Sequence, residues 1–323
     1  MPIQTRRLGR SPLEVSPICF GGNIFGWTVD EATSFTLLDA FVGAGFNFID
    51  TADSYSTWAP GNNGGESEAI IGKWVKARRN RDRVIIATKV GSEVAGRKGL
   101  SRAYILNEVE ESLSRLKTDY IDLYQSHRDD PSTPIEETLS AYDELVKQGK
   151  VRVIGASNFT PERLSDSLSA SRRLGYPRYE SLQPNYNLYD RAEYETKLEP
   201  TCQKEGLGVI PYFSLASGFL TGKYRAQADI ERSARGKFVQ KYLNERGLGI
   251  LQALDGVAKA FNATPARVAL AWLLARHSIT APIVSATSLE QMRELFQSAN
   301  LELDRPSIEL LNDASAFDEQ KAA

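Results

Sequence analysis

Four residues of different chemical type, Asp50, Tyr55, Lys89 and His127, each fall at or just beyond the end of a short apolar run. Brought together, they could protonate an oxygen on which negative charge is developing. A phenol with a pKa of about 10 is a poor donor at neutral pH, and a neighbouring lysine ammonium is expected to stabilise its phenolate and lower that value. Asp50 would keep Lys89 charged and oriented, Tyr55 would serve as general acid, and His127 would hold a carbonyl oxygen in line. Only Lys89 could attack a carbonyl, so the reductant is expected to be a hydride carrier. Singly, Asp50 reads equally as a turn residue, Lys89 as a rim charge and His127 as a satisfied core histidine. Their joint occurrence at one end of successive runs is what points to a site. The second histidine, His277, lies late in an Ala-Leu-rich segment and reads as structural or helix-terminal.

Other run ends are polar as well. Ser157, Asn158 and Gln183 suit a carboxamide, and Tyr212 offers a flat face for a nicotinamide ring. Ser214, Leu215, Ser217, Gly218 and Lys223 form a small-residue loop ending in a cation, suited to a pyrophosphate; Gly22, Asn23 and Ser285 are assigned to the same seat. Asn158 also reads as a plain helix start and Tyr212 as barrel packing. Phe25, Trp27, Trp58 and Tyr189 lie in or near expected mouth loops; the first three, with Tyr55, His127 and Arg128, make up the expected substrate side. Arg128 would favour an anionic substrate.

These groups meet only if the runs are strands of one closed sheet. Eight runs are read: Ser16 to Phe20, Phe46 to Asp50, Val84 to Thr88, Tyr120 to Gln125, Val151 to Ala156, Tyr179 to Gln183, Gly208 to Pro211 and Ala281 to Val284. Runs such as Val84 to Ala87 are continuously apolar, as strands covered by helices on both faces should be. Between them, Thr133-Pro134-Ile135-Glu136, Thr160-Pro161 and Thr264-Pro265 read as helix starts, with Thr133 expected to supply the first of these caps. The alternation predicts an α/β fold, a (β/α)8 TIM barrel with chemistry at the C-terminal strand ends. Segments flanking Gly9-Arg10-Ser11-Pro12 predict a hairpin that plugs the barrel bottom. The long seventh-to-eighth gap predicts an extended loop, Lys223 to Arg246, able to close over a ligand.

The 323 residues suit two ordinary domains or one large barrel; no boundary is visible, so a single domain over 1–323 is expected. Lys plus Arg total 39 against 41 Asp plus Glu, a net charge of -2 that gives no footprint for nucleic acid or an anionic membrane. The two cysteines, Cys19 and Cys202, fit neither a disulfide framework nor a metal-ligand spacing, so a cytoplasmic location and no metal are expected. No signal-peptide core or membrane-length apolar run occurs, and the chain is expected to be soluble and unprocessed.

The strings Asn47 to Tyr55, Ala87-Thr88-Lys89, Asp122 to His127, Gly155 to Phe159, Leu182 to Asn187 and Leu220 to Tyr224 closely resemble those of the aldo-keto reductase superfamily. The resemblance runs from Arg7 to about Leu301 and is nearest to bacterial general aldehyde and sugar reductases, a branch related to potassium-channel β subunits. It implies reversible, NADPH-dependent reduction of an aldehyde or ketone, with Tyr55 delivering the proton. Thr287 and Gln291 stand where this family commonly has basic residues around the adenosine 2′-phosphate, so NAD use stays open. Two alternatives also remain: a nicotinamide-nucleotide sensor acting through a protein partner, and an aldolase with Lys89 as a Schiff base. The physiological carbonyl and the oligomeric state are not fixed by the sequence.

Overall fold

The computed structural model describes residues 3–231 and 236–317. Two short strands, β1 (Arg6–Arg7) and β2 (Glu14–Val15), pair antiparallel. Eight parallel strands follow: β3 (Cys19–Gly21), β4 (Phe48–Asp50), β5 (Ile85–Val90), β6 (Ile121–Ser126), β7 (Val151–Ser157), β8 (Tyr179–Gln183), β9 (Gly208–Val209) and β10 (Ile283–Val284). They run side by side in chain order from β3 to β9, with β10 against β3. The ring closes because Thr280 N donates to Val209 O (2.8 Å) and Ile283 N donates to Pro211 O (2.9 Å). The result is the expected (β/α)8 barrel, with each observed strand inside or overlapping its predicted run.

Alternation along the strands divides the barrel interior into layers. The lower layer is apolar: Cys19, Phe48, Ala87, Leu123, Val153, Ile210 and Ala281 pack together and onto Leu8, Leu13 and Val15 of the hairpin. The hairpin therefore plugs the bottom, as expected. Gly9 at its turn has φ +58°, and a Cβ there would lie 2.2 Å from Glu180 O, so the close approach requires glycine. Gly155 on β7 serves the layer above, since a Cβ would lie 2.3 Å from Ser181 Oγ and 3.1 Å from Gln125 Cγ.

The helices α1 (Glu31–Gly43), α2 (Glu66–Arg78), α3 (Arg102–Leu116), α4 (Ile135–Lys147) and α5 (Pro161–Leu174) cover the outside. Thr160 caps α5 as predicted, accepting from Arg163 N (3.2 Å). Thr133 does not cap α4. Pro134 holds the cap position without a side-chain bond, and the Thr133 hydroxyl donates instead to Asp130 Oδ2 (2.7 Å).

The stretch from Lys223 to Arg246, expected as an extended loop, carries short helices. It contains α7 (Gln227–Glu231), after α6 (Glu199–Glu205), and α8 (Gly236–Val239); its residues 232–235 lie outside the described residues. Ile230, Val239 and Tyr242 are buried, Tyr242 stacks on Phe219 (5.6 Å), and its hydroxyl donates to Asp190 Oδ2 (2.7 Å). Helices of four and five residues show no periodicity in sequence; distant side chains anchor them. The chain ends through α9 (Glu245–Ala260), α10 (Pro265–Ala275), α11 (Leu289–Ser298) and α12 (Arg305–Ala314), with Thr264 capping α10 as predicted. His277 lies two residues beyond α10 and is exposed, outside the helix where the sequence reading put it. Among the described residues, no helix is long and apolar enough to cross a membrane.

Gly9→Ala should cost about 2–4 kcal/mol in urea denaturation, combining left-handed strain with the clash on Glu180. Gly175→Ala, at φ +69° with open space around it, should cost only the strain, about 1–2 kcal/mol. Equal losses would show that the hairpin turn is not tightly seated.

Candidate active site

Strand register places the catalytic candidates. Asp50 stands beside Ala87, Lys89 beside Gln125, and Ser157 beside Gln183. Asp50, Lys89, Gln125 and Gln183 thus rise into one polar layer above the apolar one, and all four are buried. Lys89 Nζ donates to Asp50 Oδ2 (2.7 Å), Thr51 O (2.8 Å) and Tyr55 Oη (2.7 Å). The Tyr55 hydroxyl donates to Asp50 Oδ2 (2.9 Å), closing a triangle. Asp50 Oδ1 accepts from Gln183 Nε2 (3.0 Å) and from Gln125 Nε2 (3.4 Å), and Gln183 also donates to Gln125 Oε1 (3.1 Å). Three acceptors match the three N–H bonds of a lysine ammonium. That saturation leaves no free lone pair for a Schiff base, which argues against the aldolase reading.

Tyr55 departs from expectation in one respect. Burial, followed by the Asp50 carboxylate, pushes its pKa well above the ordinary value rather than down. The phenol proton sits on the Asp50 side of the triangle, so ionising Tyr55 would set two anions against each other. Lys89 is pulled below its usual value by burial, with Asp50 opposing.

His127 follows β6, its amide donating to Val90 O (2.8 Å) and its carbonyl accepting from Asn158 Nδ2 (2.8 Å). Its ring lies edge-on to Tyr55 at 6.0 Å, and Nδ1 is 3.3 Å from Ser54 Oγ. Burial first, then the Lys89 and Arg128 charges, lowers its pKa well below the usual histidine range, so the ring is neutral at pH 7.

Tyr55 and His127 open onto a cavity of about 910 Å³. Its lining includes Asn23, Trp27, Trp58, Arg128, Ser157, Asn158, Gln183, Tyr212, Ser214, Leu215, Ser217, Gly218, Lys223, Ser285 and Gln291, so most of the predicted cofactor and substrate residues converge on one space. Trp27 and Trp58 meet edge to face at 5.7 Å. Asn158, at φ +55°, bridges the two ends by accepting from the Tyr212 hydroxyl (2.9 Å).

Five predicted residues lie outside that lining: Asp50 and Lys89, buried behind Tyr55, and three that turn elsewhere. Phe25 is fully buried, edge-on against Phe20 at 5.5 Å, because the turn after β3 points it into the core. Gly22 faces α2: its carbonyl accepts from Ser67 Oγ (2.8 Å), and a Cβ would meet Ser67 Oγ and Asp50 O. Thr287 is exposed and its amide donates to Gln291 Oε1 (2.9 Å), while Ser288 caps α11. Tyr189 lines a separate cavity of about 220 Å³. The sequence reading missed Gln125, although its position two residues before His127 puts it on the inward face of β6. It also missed Ser54, Phe213, Phe238, Thr264, Glu290 and Glu294, which reach the cavity from loops and helix starts.

A sequence model of the Aldo/keto reductase family matches residues 17–316. The chain is 35% identical over 315 residues to the uncharacterized oxidoreductase YrpG of Bacillus subtilis (strain 168), covering 95% of this chain and 94% of that protein. It is 32% identical over 323 residues to norsolorinic acid reductase of Aspergillus flavus, with 95% and 79% covered. A probable voltage-gated potassium channel subunit beta of Arabidopsis thaliana is 31% identical over 308 residues, with 93% and 92% covered.

Behind the triangle lies Asp53, fully buried, with neither carboxyl oxygen hydrogen-bonded. Its neighbours Glu68 and Glu108 share Arg115, which donates Nε to Glu68 and Nη2 to Glu108 (2.6 Å each), leaving no cation for a third carboxylate. Burial, then these two glutamates, pushes the Asp53 pKa well up. A carboxyl that stays protonated in the fold but ionises when unfolded contributes stability below its unfolded pKa of about 3.9 and loses it as pH rises toward the folded value. Asp53→Asn removes that loss. Its stability advantage over the parent, read as urea midpoints at pH 5, 7 and 9, should grow with pH by at most about 1.4 kcal/mol per unit; a constant difference would mean that Asp53 is ionised in the fold.

Proposed function

The chain belongs to the aldo/keto reductase family of oxidoreductases, and on that premise we propose that it reduces aldehydes or ketones to alcohols with NADPH, Tyr55 acting as general acid. The observation that carries this reading is the Asp50–Lys89–Tyr55 triangle, of which Tyr55 alone lines the cavity. At neutral pH Tyr55 keeps its proton and can give it to a carbonyl oxygen. The phenolate left behind has the Lys89 ammonium 2.7 Å away, so the charge it gains is met at once. Ser54 Oγ is 3.3 Å from His127 Nδ1; with Ser54 as the donor, the ring proton lies on Nε2, from which the neutral imidazole can donate to the same oxygen. Gln125 and Gln183 hold Asp50 so that its second oxygen stays with Lys89 and Tyr55.

A bound nicotinamide nucleotide supplies the hydride. Ser157, Asn158 and Gln183 suit its carboxamide and Tyr212 its ring face. Ser214, Leu215, Ser217, Gly218 and Lys223 suit the pyrophosphate, and Asn23, Ser285 and Gln291 complete the seat. The fit is supported by the polar donors of the lining and by Lys223, a cation without a carboxylate partner among the described residues, 5.0 Å above the Tyr224 ring. NADPH is the proposed form; the NADH rate measures how far the 2′-phosphate matters. The whole chain is taken as one barrel domain working in the cytoplasm, a setting consistent with two free, buried cysteines.

Absorbance at 340 nm with 4-nitrobenzaldehyde should fall with NADPH and more slowly with NADH. Tyr55→Phe should lose about 10²–10⁴-fold in kcat. If both nucleotides bind, by fluorescence, and neither is oxidised, the nucleotide-sensing alternative replaces the reductase.

A further inference from the structure

The substrate end of the cavity carries a charge that the protein itself does not neutralise. Arg128 is exposed, lines the cavity, and makes no hydrogen bond or ion pair among the described residues. The two carboxylates that follow it in the chain are both engaged elsewhere. Asp129 binds Arg163 Nε (2.8 Å), while Asp130 accepts from Ser132, Thr133 and the Leu100 amide. Glu93, the other charged residue lining this end, is largely solvent-exposed and 3.9 Å from Lys98. Arg128 is nevertheless not remote from the chemistry, since its charge acts on both His127 and Tyr212. Its backbone position is fixed by the bonds that His127 makes to Val90 and Asn158.

The same end carries an apolar wall. Trp58 stays 49% exposed although it meets Trp27 edge to face and lies 6.1 Å from the Tyr55 ring. A large apolar surface left open at the mouth is suited to cover by a ligand's own flat, apolar body. A guanidinium with no partner is suited to a carboxylate, which it can bind through two parallel hydrogen bonds.

We propose that the carbonyl substrates of this protein are aromatic aldehydes or ketones bearing a carboxylate, with the ring against Trp27 and Trp58 and the carboxylate on Arg128. The proposal rests on the reductase reading and adds the substrate class to it. The test compares kcat/KM for 4-carboxybenzaldehyde and 4-nitrobenzaldehyde, two aldehydes of similar shape and different charge, in the parent and in Arg128→Gln. Their intrinsic reactivities differ equally in both proteins and cancel in the ratio of ratios. Loss of one charge-assisted contact should shift that ratio against the carboxylate by about tenfold. Arg128→Lys, which keeps the charge without the planar fork, should recover part of it. In the parent, 0.5 M NaCl should slow the carboxylated aldehyde more than the nitro compound. An unchanged ratio in Arg128→Gln overturns the assignment while leaving the reductase intact. A parent that reduces neither aldehyde overturns the reductase reading, and the substrate class with it.

Discussion

A lysine and an aspartate, both at zero side-chain exposure and 2.7 Å apart, constrain everything around them. Removing either charge from water costs several kcal/mol, and the attraction between them offsets that only if the remaining polar atoms are also satisfied. Here they are. Lys89 has three acceptors, and each Asp50 oxygen accepts from two groups. A shift of one residue in the register of β4, β5, β6 or β8 would turn one of these side chains outward and leave its partners buried and unpaired. The ion pair therefore ties the chemistry to the pairing of four strands.

The barrel supplies that register through its layers. Below, side chains from seven of the eight strand segments and the hairpin close the bottom with apolar contacts. Above, Asp50, Lys89 and Gln125, each two residues further along its strand than Phe48, Ala87 and Leu123, join Gln183 of β8 in the polar layer, which faces the open end. Gly155 gives Gln125 room to reach Asp50, so a residue without a side chain contributes to the site as a space.

Burial also sets the protonation states, and it does so against the simplest reading of the residue types. A lysine beside a tyrosine suggests a lowered phenol pKa. In the folded protein the same tyrosine is desolvated and donates to an aspartate, and its pKa rises. Tyr55 is thereby a phenol, and His127 a neutral imidazole, near pH 7. In the proposed mechanism Lys89 would act on the product of proton transfer, by holding the phenolate, more than on the resting acid. Asp53 shows the same principle: desolvation and two nearby glutamates keep its proton on, against weaker opposition from the Ser54 amide and Arg115.

Much of this was legible in the sequence. The apolar runs ending at or just before Asp50, Lys89, Gln125 and Gln183 located the strands, because strand continuity and period-two alternation are local properties. The proline and threonine pairs at 160–161 and 264–265 located helix starts for the same reason. Thr133 misled because the Asp130 oxygen that binds it competes with capping and is visible only in the fold. The packed helices α7 and α8, the inward turn of Phe25, the withdrawal of Gly22 and Thr287 from the cavity and the direction of the Tyr55 shift had no local signature either. Each depends on which distant atoms lie within a few ångströms. The sequence determined which residues could do the chemistry and which strands carry them. The tertiary structure alone decided which polar atoms pair, which lose water and which, like Arg128, are left open, because hydrogen bonding and desolvation act through space and not along the chain.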